Sequence, residues 1–220
     1  MKTAAARLIH SGGRILLPLI IAIMLSACMG ASKPSNPIYY YTLDYATPSV
    51  QMAHHLPFTL RVERFSVSPP FNSQRIIYAH DGLQRNAYAY HQWIAAPAEL
   101  LPYLLARDLR QTNGFRAVLT PDASLSATHS LHGWVEQLIE KDDSPHWQAA
   151  AIIHITLISN LDKDPTRKIL LQKRYSATAP CKTKTPEALA EAMSSAVAEI
   201  SQAITEDVHD RLSTAETLKY

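Results

Sequence analysis

Two cysteines and six glycines in 220 residues leave little room for several kinds of chemistry. A chain this poor in glycine offers no loop to cradle phosphates against backbone amides. It contains no Gly-x-Ser-x-Gly elbow and no His-Glu-x-x-His helix. No catalytic residue is therefore expected, and no enzyme. Charge of one sign is missing too, with 21 Lys and Arg against 19 Asp and Glu. Three of the positives, Lys2, Arg7 and Arg14, precede Cys28 with no acid among them. From Cys28 onward 18 basic residues face 19 acidic ones, a formal charge of −1. That balance gives no global basis for nucleic-acid binding. Long apolar runs are scarce as well. Ile15–Met24 is apolar but interrupted by Pro18, and a helix crossing a bilayer core needs about 20 apolar residues.

The short run fits a secretory h-region behind a basic n-region. Leu25-Ser26-Ala27-Cys28 follows it and reads as a lipobox. Small Ser26 and Ala27 fit a peptidase cleft, and the Cys28 thiol is the nucleophile that accepts a diacylglyceryl group. The expected processing removes residues 1–27 as a lipoprotein signal peptide. Signal peptidase II would cut between Ala27 and Cys28, leaving Cys28 with diacylglyceryl and N-acyl (palmitate-type) chains and no other cofactor. Met29, where Asp would favour the inner membrane, directs the protein to the periplasmic face of a Gram-negative outer membrane. Residues 28–37 are polar and small with two prolines, a lipidated flexible tether. Its nine residues after Cys28 reach at most about 30 Å at roughly 3.3–3.6 Å each. With Cys28 acylated, Cys181 stands alone and no intramolecular disulfide is available. It reads either as a small half-buried side chain or as a reactive thiol beside Lys182.

Periodicity predicts one α+β domain over 38–213: a largely antiparallel sheet with two main helices packed on it. Residues 214–220 form a loose C-terminal tail. Ile38–Asp44 is aromatic and β-favouring. Phe58–Val67 alternates as a half-buried strand, with Phe58, Leu60 and Val62 on one face. Arg75–Ala79 and Ala87–Tyr90 flank Asp81-Gly82 as a hairpin. Pro97 opens a helix whose leucines face the core, with Arg107, Asp108 and Arg110 on the other side; Asn113-Gly114 stops it. Phe115–Leu119, Ser130–Ile139, Trp147–Leu161 and Ile169–Thr178 read as further strands. Thr185-Pro186-Glu187 starts a long amphipathic helix through Leu212.

Ten histidines invite a metal site. However, His129 and His132 lie three apart on a strand, which places them on opposite faces. His54-His55 is a loop pair with no Cys or Glu nearby. No metal site is expected. The aromatic stretch from Tyr88 through Tyr90 to Trp93, ahead of the leucine-rich helix, reads either as core packing or as a contact surface for a protein partner or lipid.

The order of these motifs resembles a family. The lipobox, Tyr39-Tyr40-Tyr41-x-Leu43, Leu60-x-Val62 followed by Pro69, Arg75-Ile76-Ile77-Tyr78, Tyr90-x-x-Trp93-x-x-x-Pro97 and Leu131-x-Gly133-x-Val135 are similar to those of the ABC-type transport auxiliary lipoproteins, the PqiC-like proteins. The likeness spans nearly all of the chain after Cys28. It departs at Ala95-Ala96, where an acidic residue is common. The resemblance implies an outer-membrane part of a lipid transport system built around an inner-membrane-anchored MCE-domain protein. An ABC ATPase and permease, or another membrane subunit, would act indirectly. The phospholipid membrane is a second partner, and a symmetric conduit would be matched by a homo-oligomeric ring. Two other readings stand beside it. One is a self-contained carrier holding acyl chains in a groove between the long strands and the last helix; the other is a periplasmic hydrolase with scattered residues.

Overall fold

The computed structural model describes residues 36–217 apart from 51, 53, 81, 144 and 145. The chain divides after Pro37, and every element described here belongs to the unit that begins at Ile38. The expected signal peptide, Cys28 and most of the expected tether lie outside the described residues. The elements run β1 (Tyr39–Tyr41), β2 (Leu56–Val62), β3 (Ser66–Val67), a 3-10 turn (Pro69–Phe71), β4 (Arg75–His80) and β5 (Asn86–Trp93). Then come α1 (Pro97–Gln111), β6 (Phe115–Leu119), β7 (His129–Asp143), β8 (His146–Ser159), α2 (Pro165–Lys168, a single turn), β9 (Ile169–Pro180) and α3 (Pro186–Thr217).

β7 is the spine of one mixed sheet. Along one edge it pairs antiparallel with β8, from His129↔Ser159 to Asp143↔His146, and β8 pairs antiparallel with β9. Its other edge is shared by three strands that run parallel to it. β2 meets its start at Val62↔Leu131, β3 its middle at Ser66↔Trp134, and β4 its end at His80↔Asp142. β2 carries β6 in parallel, while β4 carries β5 antiparallel and β5 carries β1 in parallel at the open edge. The fold is the expected α+β domain with two main helices. Its two long pairings, β7–β8 and β8–β9, are antiparallel; of the six shorter ones only β4–β5 is antiparallel and the rest are parallel.

Both main helices cover one face. Thr185 caps α3 by accepting from the Ala188 amide at 3.2 Å, with Pro186 in the first turn. The helix then buries Leu189, Met193, Val197, Ile200, Ile204, Val208 and Leu212 over Ala149, Ala151, Ile153, Ile155 and Leu157 of β8. Each large aliphatic side chain buried this way is worth about 1.5–3 kcal/mol. The sheet's other face is more polar at β7–β9, where Glu136 accepts from His154 and Arg174. α3 continues through Thr217, so the expected tail from 214 is helical over its first residues.

Three expectations need correcting. The strand expected over 58–67 is broken at 63–65, because the Phe65 ring lies flat over Gly133. A Cβ at Gly133 would sit 2.5 Å from that ring, closer than packing allows. The strand expected over 38–44 is only three residues long; past Tyr41 the chain buries Leu43 and turns toward α3. Asp108, expected on the solvent side of α1, is 2 % exposed. Its carboxylate accepts from Tyr45 Oη at 2.8 Å, Ser201 Oγ at 2.6 Å and Arg107 Nε at 2.9 Å. At the end of α1, Asn113 supplies the left-handed residue (φ 52°). Gly114 serves close packing instead: a Cβ there would meet Met52 at 2.7 Å and His209 at 3.1 Å.

Candidate docking surface

The residues singled out from sequence gather where β5, β1 and the end of β7 meet the start of α3. β1 lies beside β5 in the register Tyr39↔His91, Tyr40↔Gln92, Tyr41↔Trp93. The Tyr39 ring stacks on His91 at 5.4 Å between centroids. Tyr41 Oη donates to Glu187 Oε1 at 2.9 Å and lies 2.8 Å from His91 Nδ1. A hydroxyl has one proton to give. With that proton directed at Glu187, the Tyr41–His91 contact is a hydrogen bond in the tautomer whose Nδ1–H donates to Tyr41. Partial burial, then the Glu187 hydrogen bond and charge, push the Tyr41 hydroxyl up to about 12. Glu187 is held below the usual carboxylate range, first by a backbone amide at the helix start and then by Tyr41.

Tyr88 faces inward from the same strand. Its hydroxyl donates to Glu140 Oε2 at 2.9 Å, and its ring lies 5.0 Å from Tyr78 and 5.7 Å from His91. Glu140 is 1 % exposed, and its Oε1 has no partner among the described residues. Burial raises its pKa above the ordinary value, and the nearby Asp142 charge adds to the rise. Asp142 sits outward of it. The Trp147 indole comes first among the groups that hold it low, followed by His80 and Lys184. Lys184 lies 3.4 Å from the Asp142 carboxylate and over the Trp147 ring.

Of the expected contact residues, Tyr88 is half-buried with its hydroxyl committed, and Tyr90 is exposed. Trp93 is 2 % exposed. It belongs to the core, so the contact-surface reading is corrected there: a side chain with no accessible area cannot meet a partner. His129 is buried and His132 exposed, on opposite faces of β7. Among the described residues no three His, Cys, Asp or Glu side chains gather as a metal site. Glu140 carries no signal in the sequence, and Ile38, Tyr39 and Tyr40, read there as strand and motif, are exposed.

The model of the ABC-type transport auxiliary lipoprotein component family matches residues 41–205, three quarters of the chain. This chain belongs to that family. Solved structures show the fold it shares with other proteins. Protein XCC0632 from Xanthomonas campestris, described with the family DUF330, superposes with a TM-score of 0.65 at 14% identity, over 82% of this chain and 97% of its own. A second, uncharacterized protein gives 0.60 at 14% identity over 79% and 99%. The hypothetical protein CT253 from Chlamydia trachomatis gives 0.51 at 7% identity over 71% and 98%. No curated protein matches this sequence. As a transport auxiliary lipoprotein the chain is a membrane-anchored envelope protein. Among the described residues no helix is long and apolar enough to cross a membrane.

In this auxiliary lipoprotein the thiol of Cys181 is set aside from chemistry. Burial, and then the Glu140 charge, push it up to about 11. At neutral pH that leaves about a hundredfold fewer thiolates than in an unhindered cysteine, and the thiolate is the reactive form. Alkylation of native Cys181 at pH 7.5 should be slower by about that factor. The rate should rise with pH up to about 11, and it should increase in Glu140→Gln. Modification at the rate of an ordinary exposed thiol would contradict this account.

Proposed function

We propose that this chain is the outer-membrane lipoprotein of an MCE/ABC-type intermembrane lipid transport system. In this reading the acyl chains on Cys28 hold it at the periplasmic face. The folded domain receives the far end of an inner-membrane-anchored MCE-domain protein, alone or as a ring of copies. An ABC ATPase and permease supply the energy, and this chain carries no catalytic residue. The observation that carries the reading is the family match over 41–205 in a chain whose Cys28 stands in a lipobox.

The packing between sheet and helices bears on the rival carrier reading. The cavity lined by Tyr45, Phe65, Leu105, Ile153, Val197 and Ile204 has a volume of about 10 Å³. That is room for about one water, whereas ligand pockets run to about 300–1,000 Å³. An acyl chain seated there would have to prise α3 off β8, and the larger concavity of about 520 Å³ at the far end of α3 sets Asp162, Arg167 and Arg211 among its apolar lining. Docking asks for no such opening.

The test is affinity co-purification from cross-linked envelopes, with Cys28→Ala beside the native chain. An MCE-domain inner-membrane protein recovered with the native chain, and lost with the variant, is the expected result. Recovery of lipid and no MCE-type partner would move the reading to a self-contained carrier.

A further inference from the structure

β1 runs parallel to β5, and β5 runs away from the β4–β5 hairpin tip. The chain before Tyr39 therefore points back toward that tip. The tip holds Leu83, 97 % exposed, the most exposed large apolar side chain among the described residues. Beside it Arg85 donates to the Gly82 and Gln84 carbonyls and is itself exposed. At the open edge Ile38, Tyr39, Tyr40 and Tyr90 are also exposed, between 44% and 53%. Apolar and aromatic side chains with a cation alongside are the chemistry of a membrane–water interface. There an apolar body enters the headgroup layer and a polar tip stays wet.

We propose that this end of the domain rests on the lipid bilayer that holds the Cys28 acyl chains. Leu83 and the edge Ile38–Tyr40 with Tyr90 would enter the headgroup region. The inference rests on the lipoprotein reading above. The occupant is a bilayer because of where the chain leads. Nine residues separate Cys28 from Ile38, a reach of at most about 30 Å, and the described chain begins on the side that carries these groups. A surface held that close to a membrane meets it at high effective concentration, so even a weak contact is occupied. The orientation follows. The start of β7, the end of β8 and the C-terminal turns of α3, where Leu161, Arg167 and Arg211 line a concavity of about 520 Å³, would face away from the membrane.

Spin labels test this on acylated protein in vesicles of phosphatidylethanolamine and phosphatidylglycerol. Labels go on Leu83→Cys, Tyr90→Cys and, at the opposite end, Leu161→Cys, each in a Cys181→Ser background. The expected result is a several-fold loss of relaxation by a water-soluble agent, with a gain from oxygen, at positions 83 and 90 and none at 161. Protein that floats with the vesicles while all three labels stay aqueous overturns this proposal alone. Shielding at 83 that disappears when the protein is diluted to single copies per vesicle assigns the surface to a second copy and overturns it too. Protein that fails to float overturns the lipoprotein reading, and this one with it.

Discussion

Asp108→Ala should destabilise the domain by about 3–5 kcal/mol, the range for removing one member of a buried, hydrogen-bonded charge group. The carboxylate sits between three elements. Tyr45, on the segment leaving β1, donates to it at 2.8 Å, and Ser201, in the middle of α3, at 2.6 Å. Arg107 of α1 donates at 2.9 Å and also lies over the Tyr45 ring. Burial, then the Asp108 charge, hold the Tyr45 hydroxyl above its ordinary value, so it remains a donor. Alanine leaves the buried Ser201 hydroxyl and the half-buried Tyr45 hydroxyl without this acceptor and a guanidinium without its anion. Each such loss costs about 1–3 kcal/mol. Against a typical domain stability of about 5–15 kcal/mol, the variant should melt about 6–20 °C lower, at about 2–4 °C per kcal/mol for this size. Denaturant titration followed by circular dichroism measures it, and a change below about 1 kcal/mol would contradict the network. In a double-mutant cycle with Tyr45→Phe the two changes should fall well short of additive. The network also has a functional side, because Tyr45 fixes the path of the chain just past β1, and β1 carries the exposed aromatic edge.

Much of this fold is written in short-range signals. The capping Thr185, Pro186 in the first turn and the apolar spacing from Leu189 to Leu212 define α3 without reference to anything distant. Asp81-Gly82 between two β-favouring runs defines the hairpin. What stayed hidden depends on partners far away in the chain. Asp108 falls three residues after Leu105 and seven after Leu101, on the buried stripe of α1, so the helical period places it inward. Its charge argued the other way, and its partners Tyr45 and Ser201 lie 63 and 93 residues off. Glu140 was masked by an irregularity. The β7–β8 register shifts between Val135 and Gln137. An extra residue there reverses the alternation begun by Leu131, Gly133 and Val135 and turns Glu140 inward. A similar shift between β4 and β5 separates Tyr88, half-buried, from Tyr90, exposed, although two residues apart on a regular strand would share a face. Trp93 falls into the core because β5 ends beside Tyr41 and within the main hydrophobic cluster. Nothing local distinguishes an aromatic that packs there from one that greets a partner.

If the proposed lipid anchoring at the outer membrane holds, Cys28→Ala should empty the outer-membrane fraction of this protein. One acyl chain gives only marginal binding, with an association constant of about 10⁴ M⁻¹, and two or more give stable anchoring at about 0.8 kcal/mol per buried methylene. With the diacylglyceryl and N-acyl chains in place, release is slow on any cellular timescale. The thiol is needed before cleavage, so the variant should persist as a precursor that keeps residues 1–27, takes up no labelled palmitate and stays at the inner membrane through Ile15–Met24. Met29→Asp should instead be acylated and cleaved normally yet stay at the inner membrane, because it changes sorting and not attachment. Neither variant should alter the melting temperature of the domain, whose core lies wholly within the unit starting at Ile38. Membrane fractionation with palmitate labelling reads all of this. A Cys28→Ala protein that is cleaved and still found in the outer membrane would remove the lipid anchor from the account. The docking proposal would then have to find another attachment, since a receptor that fails to stay at its membrane cannot receive the end of a periplasm-spanning partner.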